Sequence, residues 1–185
     1  MHVFLTGPSG VGKSTALDRT LALLGVRPGG FRTAFAPDRS RLCLWPAWEE
    51  PDWSETHTVA RMAEGRLTGD PAAFDRLGTA ILAESRSWAG LLVLDELGWL
   101  EREAAAFRRA VWDSVAGEIP VLGVIKPAPQ RTGTWLEELA QAPGGAVVTV
   151  DPVNRDSLPA LLAERLGAAL EISGKKKQER AGNER

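Results

Sequence analysis

The sequence predicts an α/β fold, a mainly parallel sheet with helices on both faces, and three observations carry that prediction. Short apolar runs alternate along the chain with stretches of helical periodicity. One of those runs, Leu91-Leu92-Val93-Leu94, is unbroken, as expected of a strand buried on both faces of a parallel sheet. Between the first strand-like run and the first helix-like stretch stands Gly7-Pro8-Ser9-Gly10-Val11-Gly12-Lys13-Ser14, which spells a phosphate-binding loop, or P-loop.

The elements follow in order. His2-Val3-Phe4-Leu5-Thr6 reads as the strand feeding the loop, and residues 11–24 as the helix leaving it, with Leu17, Leu21 and Leu24 on one face. After a turn over 25–30, the runs 31–35 and 40–44 flank Pro37-Asp38-Arg39 and predict a small β-hairpin. A tryptophan-rich acidic segment, 45–53, precedes an expected short helix over 55–64 that Gly65 stops. Asp70-Pro71 caps a longer helix with Phe74, Leu77, Ile81 and Trp88 at helical spacing. Beyond the strand 91–94 come a helix over 101–115, a strand over 121–125, and a short helix begun by the capping box Thr134-x-x-Glu137. A strand over 145–150 and a helix over 157–170 complete the pattern. The chain of 185 residues suits one domain, assigned to 1–172. Residues 173–185, poor in apolar side chains and carrying Lys175-Lys176-Lys177, read as a disordered basic tail.

Composition excludes several classes of function. A formal charge of −2 supplies no basic field for nucleic acid. No apolar run approaches the length of a membrane span, and the chain enters its first strand without a leader pattern. The single cysteine, Cys43, forms no internal disulfide, and His2 and His57 alone give no metal-ligand spacing. These features place the protein in the cytoplasm.

The P-loop calls for a nucleoside triphosphate, ATP or GTP. Gly7, Pro8, Ser9, Gly10, Val11 and Gly12 turn backbone N–H groups toward the β-phosphate, and Thr15 extends the loop into the helix, whose N-terminus adds partial positive charge. Lys13 bridges the β- and γ-phosphates, and Ser14 offers its hydroxyl to Mg²⁺. Asp95 ends an apolar strand, where open α/β sheets place ligand-contacting residues, and is read as a second group holding Mg²⁺ through water. Glu96 can aim a carboxylate at water attacking the γ-phosphate. Lys126 follows the strand 121–125 into the same crevice and can neutralise the γ-phosphate. Arg131 can close over the phosphates as a finger in cis. Asn154 and Arg155 follow the last strand, where a base can be hydrogen-bonded and stacked upon, or where the chain simply enters a helix. Trp45, Trp48 and Trp53 either stack on a ligand or pack as a lid edge on the core, and their acidic neighbours favour the second.

The succession of Gly7 to Ser14, Gly30-Phe31-Arg32-Thr33, Phe74-Asp75-x-Leu77-Gly78, Leu94-Asp95-Glu96-Leu97-Gly98 and Asn154-Arg155-Asp156 resembles the cancer-related nucleoside-triphosphatase family over residues 1–170. The resemblance implies a Rossmann-like P-loop NTPase fold and Mg²⁺-dependent hydrolysis of nucleoside triphosphates with broad base tolerance. It implies Asp95 as the magnesium-associated acid and Glu96 as the water-activating one. The chain departs from that family after Thr33, where Ala34-Phe35-Ala36 replaces acidic residues. Two alternatives remain open: a P-loop nucleotide or small-molecule kinase, and a nucleotide-dependent switch whose hydrolysis is a timer.

Overall fold

In the computed structural model, residues 1–183 are described in backbone and 1–172 in side chain; the tail expected over 173–185 lies outside the fully described residues. The chain runs β1 (His2–Thr6), α1 (Lys13–Leu24), β2 (Gly29–Phe35), β3 (Arg41–Pro46), a 3₁₀ turn (Glu55–His57), β4 (Thr58–Ala63) and β5 (Arg66–Gly69). It continues with α2 (Pro71–Trp88), β6 (Leu92–Leu97), α3 (Ala105–Val115) and β7 (Val121–Ile125). The remaining elements are α4 (Ala128–Arg131), α5 (Trp135–Ala140), β8 (Gly145–Thr149) and α6 (Leu158–Asn183). The strands form one eight-stranded sheet in the order β5-β4-β3-β2-β6-β7-β1-β8. From β2 through β8 every neighbouring pair is parallel, while β2-β3-β4-β5 is an antiparallel meander.

Alternation along the central strands builds two cores. Val3 and Leu5 of β1, Val93 beside β6's centre, and Leu122 and Val124 of β7 face Leu17 and Leu21 of α1 and Leu158, Leu162 and Leu166 of α6. Phe4, Leu92 and Leu94, with Phe31 of β2, face the other way onto α2, α3 and α5, where Phe31 and Phe74 pack on Phe107 at 5.3 and 5.5 Å between ring centroids. Because both faces are covered, the central strands carry apolar residues at successive positions.

The predicted helix over 55–64 does not form. Three residues of 3₁₀ turn give way to the hairpin β4–β5, which closes through Glu64 and Gly65 at φ +50° and +74°. Positive φ at both central residues gives the tight two-residue turn whose twist suits an antiparallel pair. Thr58, Val59 and Ala60 are buried, whereas the last three residues of β4 are exposed. The burial therefore follows distance from the sheet centre rather than a helical face.

Two helix starts also differ from expectation. α3 begins at Ala105, because Glu101 is buried beneath a turn and accepts the Gly98 N–H. The expected capping box at α5 is not made: the Thr134 hydroxyl donates to the Arg131 carbonyl, and Glu137 accepts from Gly133 N at 3.0 Å. The tryptophan segment packs against the fold. Trp45 is buried in β3 with Trp53 edge-on at 5.2 Å, and Trp48 meets Trp88 of α2 at 5.2 Å.

Candidate active site

Parallel strands bring their C-terminal ends to one edge, so the loops after β1, β6 and β7 meet there. The P-loop turns through Gly7, Gly10 and Gly12 at φ +143°, +76° and +108°, which L side chains rarely adopt. At Gly7 a Cβ would also lie 2.6 Å from the Val150 carbonyl oxygen, because the last strand ends against the loop. α1 begins at Lys13 with no side-chain cap, leaving its first N–H groups open toward the loop. These N–H groups, the P-loop, Glu96 near the end of β6 and the residues after β7 enclose a cleft of about 430 Å³ lined by Gly7 to Gly10, Gly12 to Thr15, Glu96, Lys126 and Gln130.

Lys13 Nζ donates to the carbonyls of Gly7 and Pro8, each at 3.0 Å, and so lies folded over the loop. Burial lowers its pKa; Glu96 acts against that, Lys126 reinforces it, and Asp95 opposes it again. Across the cleft, Lys126 Nζ pairs with Glu96 Oε1 at 2.9 Å, and both side chains are about one-third exposed. Glu96 is fixed at its backbone, where its N–H donates to Thr33 Oγ1 at 3.1 Å.

Asp95 sits deeper. Its carboxylate lies 3.6 Å from Arg32 Nη1, and Arg32 Nη2 is 2.7 Å from Asp18 of α1. Burial pushes the Asp95 carboxyl up to about 7, against the pull of Arg32 and with the push of Glu96 and Asp18. A buried carboxylate with so little compensation suits a divalent cation. Among the described residues no cluster of three His, Cys, Asp or Glu could hold a metal. Of the two groups expected at Mg²⁺, the Ser14 hydroxyl lines the cleft and Asp95 lies buried outside its lining; one carboxylate and one hydroxyl, with phosphate oxygens and water, would suit the shell that Mg²⁺ takes.

Glu101 is the second buried acid, pushed up by burial to about 7 although the Gly98 N–H and Lys126 pull the other way. Asp95 and Glu101 thus hold protons in the folded protein that the unfolded chain has released, between about pH 4 and 7. Since the native state binds more protons there, stability falls as pH rises through that window. Buried His2, its pKa lowered to about 4, works the other way over the same range. The two acids outweigh it, so the denaturant midpoint of the nucleotide-free protein is expected to be higher near pH 5 than near pH 7.5, and Glu101→Gln should remove on the order of 3 kcal/mol from that difference. An unchanged slope in the variant would contradict this assignment.

The remaining sequence-derived candidates lie at the rim. Arg131 Nη1 donates to the Lys126 carbonyl at 3.0 Å and reaches Thr6 Oγ1 at 3.5 Å. It braces the loop after β7 and does not line the cleft. Asn154 engages both ends of its amide in the loop after β8: Oδ1 accepts from Asp151 N at 3.0 Å and Nδ2 donates to Thr149 O at 2.8 Å. Arg155 is half exposed, with its stem passing over Gly12, so Cδ would lie 3.8 Å from a Cβ there. Sequence reasoning assigned no role to Arg32, Thr33, Gln130 or Glu101. The signal for Arg32 was the pairing of β2 with β6, which sets Arg32 beside Asp95 in register.

Comparison with known proteins agrees with this geometry. A family model described as NTPase matches residues 2–163. The chain is similar to the nucleoside-triphosphatase THEP1 of Methanocaldococcus jannaschii, 25% identical over 166 residues that cover 85% of this chain and 92% of that one. It is similar to the cancer-related nucleoside-triphosphatase homolog of Bos taurus, 28% identical over 181 residues, with 85% and 92% covered. Its fold matches the crystal structure of THEP1 from the hyperthermophile Aquifex aeolicus with a TM-score of 0.74 at 21% identity, over 90% of this chain and 99% of that one.

Proposed function

This chain belongs to the NTPase family, and from that premise we propose that it hydrolyses ATP, GTP and other nucleoside triphosphates to diphosphate and phosphate, with Mg²⁺ and weak base selectivity. The observation that carries the reading is one cleft holding the P-loop, Glu96 and Lys126 together. Lys13 leaves the two P-loop carbonyls for the β- and γ-phosphate oxygens, since a lysine bonded only to carbonyls gains more from an anion. Ser14 and Asp95 hold Mg²⁺, which supplies charge neutralisation on the phosphates. Lys126 adds positive charge at the γ end, and Glu96, held at its N–H by Thr33, orients water and takes its proton.

The base end is read more loosely. Arg155 beside Gly12 offers a guanidinium on which any base can stack, while Asn154 is occupied within its own loop. Residues 1–172 serve as the catalytic domain. No helix among the described residues is long and apolar enough to cross a membrane, and Cys43 is buried as a free thiol, which suits a cytoplasmic enzyme.

Phosphate release from ATP, GTP, CTP and UTP tests this reading. All four are expected to turn over, slowly, at roughly 10⁻⁴ to 10⁻² s⁻¹, because no arginine among the described residues lines the cleft. The spread in kcat/KM between bases should stay below about 10³-fold, since stacking discriminates far less than a dedicated hydrogen-bonding pocket. A larger preference would contradict base recognition by stacking.

A further inference from the structure

A second cavity lies behind the Glu96–Lys126 pair. It measures about 100 Å³ and is lined by Thr33, Phe35, Leu42, Leu67, Phe74, Trp99, Leu100 and Glu101, sharing Glu96 and Lys126 with the phosphate cleft. We propose that this cavity is a phosphoryl-acceptor subsite, which seats the apolar body of a small neutral alcohol and presents its hydroxyl to Glu96 in place of the hydrolytic water. The proposal rests on the nucleotide site described above and adds a second substrate to it.

The walls define the ligand. Phe35, Leu42, Leu67 and Phe74 supply apolar surface from β2, β3, β5 and α2, and the half-exposed Trp99 stands at the rim. A volume of about 100 Å³ corresponds to roughly three waters, so a hydroxyl with a short aliphatic body fits, and a ring or a nucleotide does not. Charge excludes an anion, because the lysine of the cavity is already paired with Glu96 at 2.9 Å. A cation is disfavoured as well, since Glu96 is paired with Lys126 and Glu101 accepts the Gly98 N–H. A neutral hydroxyl remains, able to donate to Glu96 and accept from Lys126.

The reaction balances without a further reagent. The hydroxyl oxygen forms a bond to Pγ, its proton passes to the Glu96 carboxylate, the bond from Pγ to the bridging oxygen breaks, and the diphosphate leaves with that electron pair. Water follows the same course when the cavity holds no alcohol.

The test uses the full chain with Mg²⁺-ATP and either 1-propanol or benzyl alcohol, with phosphate ester and inorganic phosphate resolved by ³¹P NMR. With 1-propanol the ester-to-phosphate ratio is expected to exceed the alcohol-to-water ratio by at least about tenfold, and with benzyl alcohol it should not, because its ring exceeds the cavity. Leu67→Trp, on a half-buried edge-strand residue, fills the cavity and should remove the excess ester while leaving phosphate release within about twofold, which also reports that the variant is folded. An ester ratio equal to the alcohol-to-water ratio with normal phosphate release would overturn the subsite and leave hydrolysis standing. Excess ester undiminished in Leu67→Trp would overturn its location. Absence of both products would overturn the hydrolase reading and this one with it.

Discussion

Lys13→Ala is expected to lose nucleoside triphosphate binding and hydrolysis together, with kcat lowered about 10²- to 10³-fold. The lysine lies folded on the Gly7 and Pro8 carbonyls at 3.0 Å, inside the cleft that holds the whole P-loop. It contributes to ground-state binding through the β- and γ-oxygens, and to the rate because charge on those oxygens changes as the bond to Pγ breaks. Loss of the side chain frees two carbonyls that water can satisfy, so the fold should survive. Circular dichroism together with nucleotide titration and phosphate release checks each part. Undiminished phosphate release in a folded variant would remove the P-loop from the account.

Glu96→Gln should separate what Lys13→Ala joins. Glutamine keeps the shape and the N–H bond to Thr33 Oγ1, so affinity for Mg²⁺-nucleotide is expected to hold. It cannot accept a proton from water, and the rate should fall by at least about 10²-fold, the range of a positioned general base. The ion pair with Lys126 at 2.9 Å is also lost, freeing that ammonium for the γ-phosphate, which if anything tightens binding. Titration of affinity beside single-turnover rate makes the distinction. Equal losses in both would reduce Glu96 to an electrostatic neighbour of Lys126.

What the sequence disclosed depended on how local each signal was. The P-loop and Lys126 follow the ends of β1 and β7, while β6 runs on to Leu97 and holds Asp95 within it, past the apolar run where the sequence ended the strand; in each case the chemistry is written within a few residues of that run. The parallel half of the sheet was legible because Leu91 to Leu94 and the run 121–125 are buried on both faces, which leaves an unbroken apolar signature. The outer hairpin was not legible. Thr58 to Ala63 is buried over its first half only, so neither a strand nor a helix period dominates, and the positive φ at Glu64 stands at a residue type that seldom adopts it. Arg32 and Thr33 escaped for a different reason. Their partners Asp95 and the Glu96 N–H are brought in by the β2–β6 pairing, and Asp18 by α1, none of which a local pattern encodes. Glu101 read as the first residue of the helix 101–115, which the structure starts at Ala105 as α3; the turn at Gly98 folds Glu101 inward, where burial and not helix propensity sets its chemistry.

The alternatives of phosphotransfer and nucleotide-timed switching share the P-loop, so the decisive question is which atom attacks which phosphorus. Turnover of ATP in ¹⁸O-labelled water answers it most directly. The account predicts one diphosphate for each inorganic phosphate, label in the phosphate alone, and loss of turnover when magnesium is chelated. Label in the diphosphate, release of monophosphate with pyrophosphate, or undiminished turnover without magnesium would contradict it.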